Sequence, residues 1–113
     1  SFVHMGSDSG EYLPMDEIYT ANAELFTNHV PEEVGGIVFL SGGLSSETAL
    51  DYLNGTSKLM SQELEDKSTF SFARSIQIDP LKVWEGKDEN IPAARAKFIE
   101  LLKVNSKAEE GEL

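Results

Sequence analysis

Apolar residues recur at helical spacing in the first third of the chain and predict a helix there. The helix begins near Met15, with Asp16 as its N-cap, and ends near His29, just before Pro31. Its apolar face is formed by Ile18, Ala21, Leu25 and Phe26. Residues 1–14 contain no apolar period and are predicted to form a loop.

A short, wholly apolar run follows, from Gly35 to Leu40. Its β-branched residues and flanking glycines predict a strand buried on both faces, as in parallel sheets. Ser41-Gly42-Gly43 then forms a turn, and a second helix opens at Ser45-Ser46-Glu47 with an apolar face around Leu53. Asn54-Gly55 is predicted to end or kink that helix.

The second half of the chain repeats this alternation. Residues 57–67 are polar and are predicted to form a loop or a frayed helix end, and residues 68–72 alternate polar with aromatic, which predicts a strand. Arg74 lies just past that strand. Asp79-Pro80 is predicted to begin a short helix, and Asn90 and Pro92 a longer one. The buried stripe of the longer helix is predicted at Ala94, Phe98, Ile99, Leu101 and Leu102, with fraying over residues 106–113.

The alternation of helices and strands predicts an α/β fold with a parallel sheet. Two strands cannot form a stable, doubly covered sheet, because both faces and both edges need partners. The 113 residues are therefore expected to be part of something larger.

Composition excludes several classes of function. A net charge of −11 disfavours nucleic acid as a partner. The longest apolar run is far shorter than the ~20 residues that a membrane helix needs, so no membrane partner is expected. Without cysteine, and with His4 and His29 isolated from acidic residues at ligand spacing, no metal site and no cofactor are expected.

Two segments could bind an anion. The turn Ser41-Gly42-Gly43 follows a strand and precedes a helix, so free backbone N–H groups and the helix N-terminus point at one space. Ser71-Phe72-Ala73-Arg74 ends the next strand, at the same edge of a parallel sheet, and arginine can grip a phosphate at two points. Taken singly, the turn could equally bind nothing, and Arg74 could be an ordinary surface residue.

Three stretches in register resemble class I (Schiff-base) fructose-bisphosphate aldolases. Residues 36–43 are similar to the Gly-Ile-x-Phe-Leu-Ser-Gly-Gly stretch of that family, and residues 69–77 to Thr-Phe-Ser-Tyr-Gly-Arg-Ala-Leu-Gln. Residues 81–90 resemble Leu-Lys-x-Trp-x-Gly-Lys-x-Glu-Asn. The similarity extends from about Met15 to Asn105.

The resemblance implies that the chain is the C-terminal segment of a (β/α)8 TIM barrel: the last two strands and their flanking helices. It implies reversible cleavage of fructose 1,6-bisphosphate, a cytoplasmic location and, for the full-length enzyme, a homo-oligomer. The family holds a phosphate of its sugar substrate between the loops after strands seven and eight. Carried over by position, that role falls on Ser41, Gly42, Gly43, Ser71, Ala73 and Arg74.

The chain departs from the family in two respects. Ala73 stands where many members have glycine, and Phe72 where they have tyrosine. The family's nucleophilic lysine lies in a Leu-Lys-Pro segment, which is not among these residues, so the chain alone is expected to be inactive. Three alternatives stay open: a non-catalytic phosphate-binding module, an interaction segment, or another phosphate-handling βα-barrel enzyme.

Overall fold

The computed structural model describes residues 1–113 and contains five α-helices and two strands. In chain order they are α1 (Met15–His29), β1 (Ile37–Phe39), α2 (Ser46–Leu59), α3 (Gln62–Asp66), β2 (Ser68–Phe70), α4 (Arg74–Trp84) and α5 (Ile91–Glu109). A short 3₁₀ helix, Asp88–Asn90, precedes α5. No helix is both long enough and apolar enough to cross a bilayer.

The two strands pair in parallel, as the alternation of elements predicts. Ile37 lies opposite Ser68, and Phe39 lies opposite Phe70. One further hydrogen bond, from Ser71 N to Phe39 O (2.8 Å), extends the pairing past the end of β2. Both strands therefore end at the same edge of the sheet, which brings the segments that follow them side by side.

The two faces of β1 differ sharply. Phe39 is 1% exposed and packs against helix α1 and the N-terminal segment, whereas Val38 and Leu40 are 54% and 53% exposed. The predicted burial of this strand on both faces is therefore wrong for these 113 residues. Side chains of a strand alternate between its faces, so Phe39 points to one face and Val38 and Leu40 to the other. The helices that cover β1 therefore lie on the Phe39 side.

Helices α1 and α2 approach each other closely at Gly55. A Cβ atom at Gly55 would lie only 2.4 Å from the Tyr19 ring, so the absent side chain leaves room for that ring. The predicted end of the helix at Asn54-Gly55 is wrong, since α2 continues to Leu59. Contact with the Tyr19 ring outweighs the low helix propensity of glycine here.

Helix boundaries differ from the predictions in two other places. The N-cap of α1 is Pro14, not Asp16, and Asp16 lies in the first turn, where a carboxylate interacts favourably with the helix dipole. The predicted end of α1 at His29 is confirmed. Residues 57–67 are largely helical: α2 runs to Leu59, and the Ser61 side chain accepts a hydrogen bond from Leu64 N to cap α3.

Pro80 lies inside α4 and not at its start. The helix begins at Arg74, so the predicted N-cap role of Asp79 is wrong. Proline lacks the N–H that would bond to the carbonyl four residues earlier, but Pro80 is buried and its ring contributes to packing. The helix ends at Trp84, and its C-cap Glu85 has a left-handed φ of 54°, followed by Gly86 with a φ of 73°.

Helix α5 is longer than the sequence pattern predicts. Phe98, Leu101 and Leu102 pack against the core as expected, whereas Ile99 is half-exposed. The predicted fraying over residues 106–113 does not hold for residues 106–109, which remain helical, and Ala108 is fully buried. Leu113 N also donates to Asn54 Oδ1 at 3.1 Å, which ties the last residue to α2.

Candidate functional site

The first part of the candidate site is the turn between β1 and α2. Ser41 is buried, and Gly42 and Gly43 have φ angles of 58° and 86°, in the left-handed region that favours glycine. Within the turn, Leu44 N donates to Ser41 O at 3.0 Å. The N–H groups of Gly42 and Gly43 have no acceptor within the chain. The turn thus presents two unpaired backbone donors on an accessible surface.

Helix α2 begins immediately after this turn. The Ser45 side chain caps it by accepting a hydrogen bond from Thr48 N at 3.1 Å. The positive end of the helix dipole therefore faces the space beside Gly42 and Gly43. Glu47 in the first turn of α2 offsets part of this positive potential.

The second part of the site follows β2. Ala73 is the N-cap of α4, and its carbonyl accepts hydrogen bonds from Ile76 N (3.1 Å) and Gln77 N (3.0 Å). Its φ of −103° is negative, so an alanine at this position causes no left-handed strain. Ser71 is exposed beside it, and Arg74 is the first residue of α4.

The two parts meet at Arg74. A Cβ atom placed on Gly43 would lie 3.5 Å from Arg74 Nη2, so the guanidinium lies close to this glycine. Arg74 is exposed and forms no ion pair or hydrogen bond through its side chain. A positive group, two free N–H groups and two helix N-termini thus surround one small space, an arrangement suited to an anion.

The side chains beneath the site form an aromatic cluster. Phe2 stacks on Phe39, with ring centroids 4.6 Å apart and planes within 6°. Phe72, from the segment after β2, lies 6.3 Å from Phe2, and Phe26 of α1 packs edge-on against Phe39 at 5.3 Å. The cluster joins the ends of both strands to the N-terminal segment.

The N-terminal segment lies closer to the site than the sequence pattern suggests. Asn22, which is fully buried, accepts a hydrogen bond from Val3 N (2.7 Å) and donates to Val3 O (2.8 Å). Ser1 lies against Gly42, since a Cβ atom at Gly42 would come within 2.6 Å of Ser1 Oγ. The sequence pattern missed these contacts. One sequence feature could have indicated them: Asn22 is a polar residue on the apolar face of α1, between Ile18 and Phe26, where a buried amide needs a hydrogen-bond partner.

Comparison with known proteins shows the family to which the chain belongs. The sequence model of the family "Fructose-bisphosphate aldolase class-I" matches residues 1–113. Cytosolic fructose-bisphosphate aldolase 5 of Arabidopsis thaliana is 44% identical, and the match covers 98% of this chain and 30% of the relative. The muscle-type aldolase of Lethenteron camtschaticum is 38% identical, with coverage of 99% and 31%.

A solved structure extends the likeness to three dimensions. The fructose-bisphosphate aldolase of Plasmodium falciparum, solved with TRAP and a small-molecule inhibitor, superposes with a TM-score of 0.90 at 31% identity. The superposition covers 98% of this chain and 31% of that one. The chain belongs to the class I fructose-bisphosphate aldolase family, whose members are lyases. It spans about 30% of the length of the curated relatives it matches.

Proposed function

We propose that this chain supplies the substrate-phosphate site of a class I fructose-bisphosphate aldolase. The enzyme would cleave fructose 1,6-bisphosphate reversibly to dihydroxyacetone phosphate and glyceraldehyde 3-phosphate through a lysine Schiff base. The phosphate would bind between the segments after β1 and β2, at Ser41, Gly42, Gly43, Ser71, Ala73 and Arg74. The name of the Arabidopsis relative supports a cytoplasmic location.

One observation carries this proposal: the Arg74 guanidinium lies close to Gly43 without a partner from the chain. An arginine on the surface of a chain with 20 acidic residues has many possible carboxylate partners. Here it instead lies close to Gly43, in a turn where two backbone N–H groups have no acceptor within the chain and are donors that suit phosphate oxygens. Both parts of the site come from segments that match the family in sequence.

Titration of the protein that carries this chain with inorganic phosphate and fructose 1,6-bisphosphate tests the proposed site. Arg74→Ala should weaken binding of both ligands by about 1.5–3 kcal/mol, the loss expected for a hydrogen bond to a charged group. Arg95→Ala, which removes the chain's other arginine from α5, serves as the matched control and should leave both affinities unchanged. Equal affinity of wild type and Arg74→Ala would refute the phosphate site.

We further propose that the two strands are the seventh and eighth of a (β/α)8 barrel. The exposed Val38 and Leu40 support this placement, because they form an apolar face on the side of β1 away from the helices, where a barrel has its interior. An intact mass about three times the 12.4 kDa of these residues would agree with the 30% coverage of the relatives. A protein of 12.4 kDa would contradict it.

The 113 residues on their own would bind phosphate without cleaving a carbon–carbon bond. None of the seven lysines lies in β1, in β2 or in the segments that immediately follow them, so no amine of these segments is available to form the imine. Borohydride reduction with dihydroxyacetone phosphate, followed by mass spectrometry of the 113-residue chain, should show no adduct. A covalent adduct on any of its lysines would contradict this expectation.

A further inference from the structure

A hydrogen bond joins the N-termini of the two helices that flank the proposed phosphate site. Ser46 is the first residue of α2, and its Oγ donates to the carbonyl oxygen of Ser75, the second residue of α4. The two residues are 29 positions apart in sequence. Ser46 is half-buried, and Ser75 is buried.

The hydrogen bond from Ser46 to Ser75 restrains the backbone next to Arg74, which immediately precedes Ser75. Because the Arg74 side chain has no partner within the chain, the position of its guanidinium depends on where the backbone places the start of α4. The strand pairing fixes that backbone as far as Ser71, whose N–H donates to Phe39 O at 2.8 Å, and the buried side chains of Phe72 and Ile76 anchor it to the core. Beyond Ser71, the Ser46–Ser75 bond is a direct polar link between the start of α2 and the start of α4.

Neighbouring hydroxyls do not duplicate the link. Ser45 caps its own helix through Thr48 N, and its hydroxyl also lies 2.9 Å from Thr48 Oγ1. The Ser75 hydroxyl is buried and has no hydrogen-bond partner, so Ser75 contributes to the link through its carbonyl alone. The hydrogen-bonded link between the two helix starts therefore depends on the single hydroxyl of Ser46.

We propose that Ser46 is a positioning residue of the phosphate site, although it is not one of the residues assigned to contact the phosphate. Its hydroxyl holds the start of α4 against the start of α2 and so sets the separation between the Arg74 guanidinium and the Gly42 and Gly43 N–H groups. This role rests on the proposed phosphate site. Loss of the hydroxyl leaves every proposed ligand group in place but lets Arg74 move away from the turn.

Phosphate titration of Ser46 variants tests the proposal in the protein that carries this chain. Ser46→Ala should weaken binding of inorganic phosphate about fivefold, the effect of losing roughly 1 kcal/mol of hydrogen bonding. Ser46→Thr, which keeps a hydroxyl donor, should bind within about twofold of wild type. Ser61→Ala is the matched control, because it removes the capping serine of α3, and it should leave the affinity unchanged.

A double mutant of Ser46 and Arg74 shows whether Ser46 affects phosphate binding through the position of Arg74. If Ser46 acts through Arg74, Ser46→Ala should cause no further loss of phosphate affinity in the Arg74→Ala background. Ser46→Cys, which keeps the size of the side chain with a weaker donor, should show the same direction of loss as Ser46→Ala.

Two results would overturn the positioning role and leave the phosphate site standing. One is wild-type affinity in both Ser46→Ala and Ser46→Cys. The other is a fivefold loss that persists unchanged when Arg74 is already alanine. By contrast, an Arg74→Ala variant that binds phosphate normally would remove the proposed site itself, and the role of Ser46 with it.

Discussion

The two parts of the candidate site are built from different materials. The turn after β1 consists of backbone: buried Ser41 and two glycines in left-handed conformations, with Ser1 packed against Gly42. The segment after β2 contributes an exposed side chain, Arg74, at the start of a helix. A site made of backbone fails when its conformation is strained, whereas a site made of one charged side chain fails when that charge is removed or displaced. Substitutions in the first part should therefore change stability, and Arg74→Ala should change binding alone.

The largest effect is expected where both parts share a support. Phe39→Ala removes the ring on which Phe2 stacks and against which Phe26 packs, beneath the ends of both strands. The free energy of unfolding should fall by about 3–5 kcal/mol in urea titrations, as for other buried phenylalanines. In the 113-residue chain, where the Val38 side chain is 54% exposed, Val38→Ala on the uncovered face of the same strand should cost less than about 1 kcal/mol. Similar losses for the two variants would mean that the faces of β1 do not differ as described.

Gly42→Ala should strain the turn after β1 and leave the Arg74 side chain unchanged. A φ of 58° costs an L-residue roughly 1–2 kcal/mol, and the new methyl group would press on Ser1 Oγ. Gly35→Ala is the matched control, because no atom lies within 4 Å of its Cβ position and its φ is not left-handed. We expect unfolding free energy to fall for Gly42→Ala and to stay level or rise by about 0.4–1 kcal/mol for Gly35→Ala. Loss in both variants, or in neither, would contradict the special role of the turn.

The smallest effect is expected at Glu109 of α5, which lies near Thr69 of β2, the strand that precedes Arg74. Burial raises the pKa of the Glu109 carboxyl in α5, and Glu110 raises it further, while the nearby Thr69 side chain of β2 opposes the shift. A carboxyl with a raised folded-state pKa binds its proton more tightly in the folded protein. Its contribution to stability is full below the unfolded pKa, near 4.5, and is lost as the pH rises through the folded value.

Glu109→Gln should remove this pH dependence. At pH 7 the variant should be more stable than wild type by less than about 0.5 kcal/mol, because solvent screens the partly exposed carboxyl. Thermal unfolding of both proteins at pH 4 and pH 7 measures the difference, with Glu112→Gln, at the exposed end of the chain, as the control. A variant that loses stability on going to pH 7 as much as wild type does would exclude Glu109 as the cause.

Much of the local arrangement around the site follows from the sequence. The sequence predicts two parallel strands, one ending before Ser41 and its glycines and the other before Arg74. The segments after parallel neighbouring strands lie side by side, and the structure does bring Gly43 and Arg74 together. Local chemistry suffices there, because strand, turn and helix start are all short-range features.

The errors occur where distant contacts outweigh local preference. Gly55 remains helical because it accommodates Tyr19, which is 36 residues away in sequence. Pro80 lies within α4 because the helix starts at Arg74, and burial of its ring accompanies the lost N–H at this position. Val38 and Leu40 are apolar but exposed, and an apolar strand does not itself indicate which face its own chain covers. The link from Ser46 to Ser75 depends on the packing of α2 against α4, which no spacing in the sequence encodes.

The Asn22 side chain has a consequence for how the N-terminal segment is held beside the turn. A neighbouring strand would bind that segment through a ladder of hydrogen bonds, which can open one residue at a time from the end. Here both polar backbone groups of Val3 bind one carboxamide, so a single rotation of Asn22 about its χ angles would release them together. Val3 is therefore bound or released as a unit, and Phe2, which lies between Val3 and Ser1, is held separately by its stacking on Phe39.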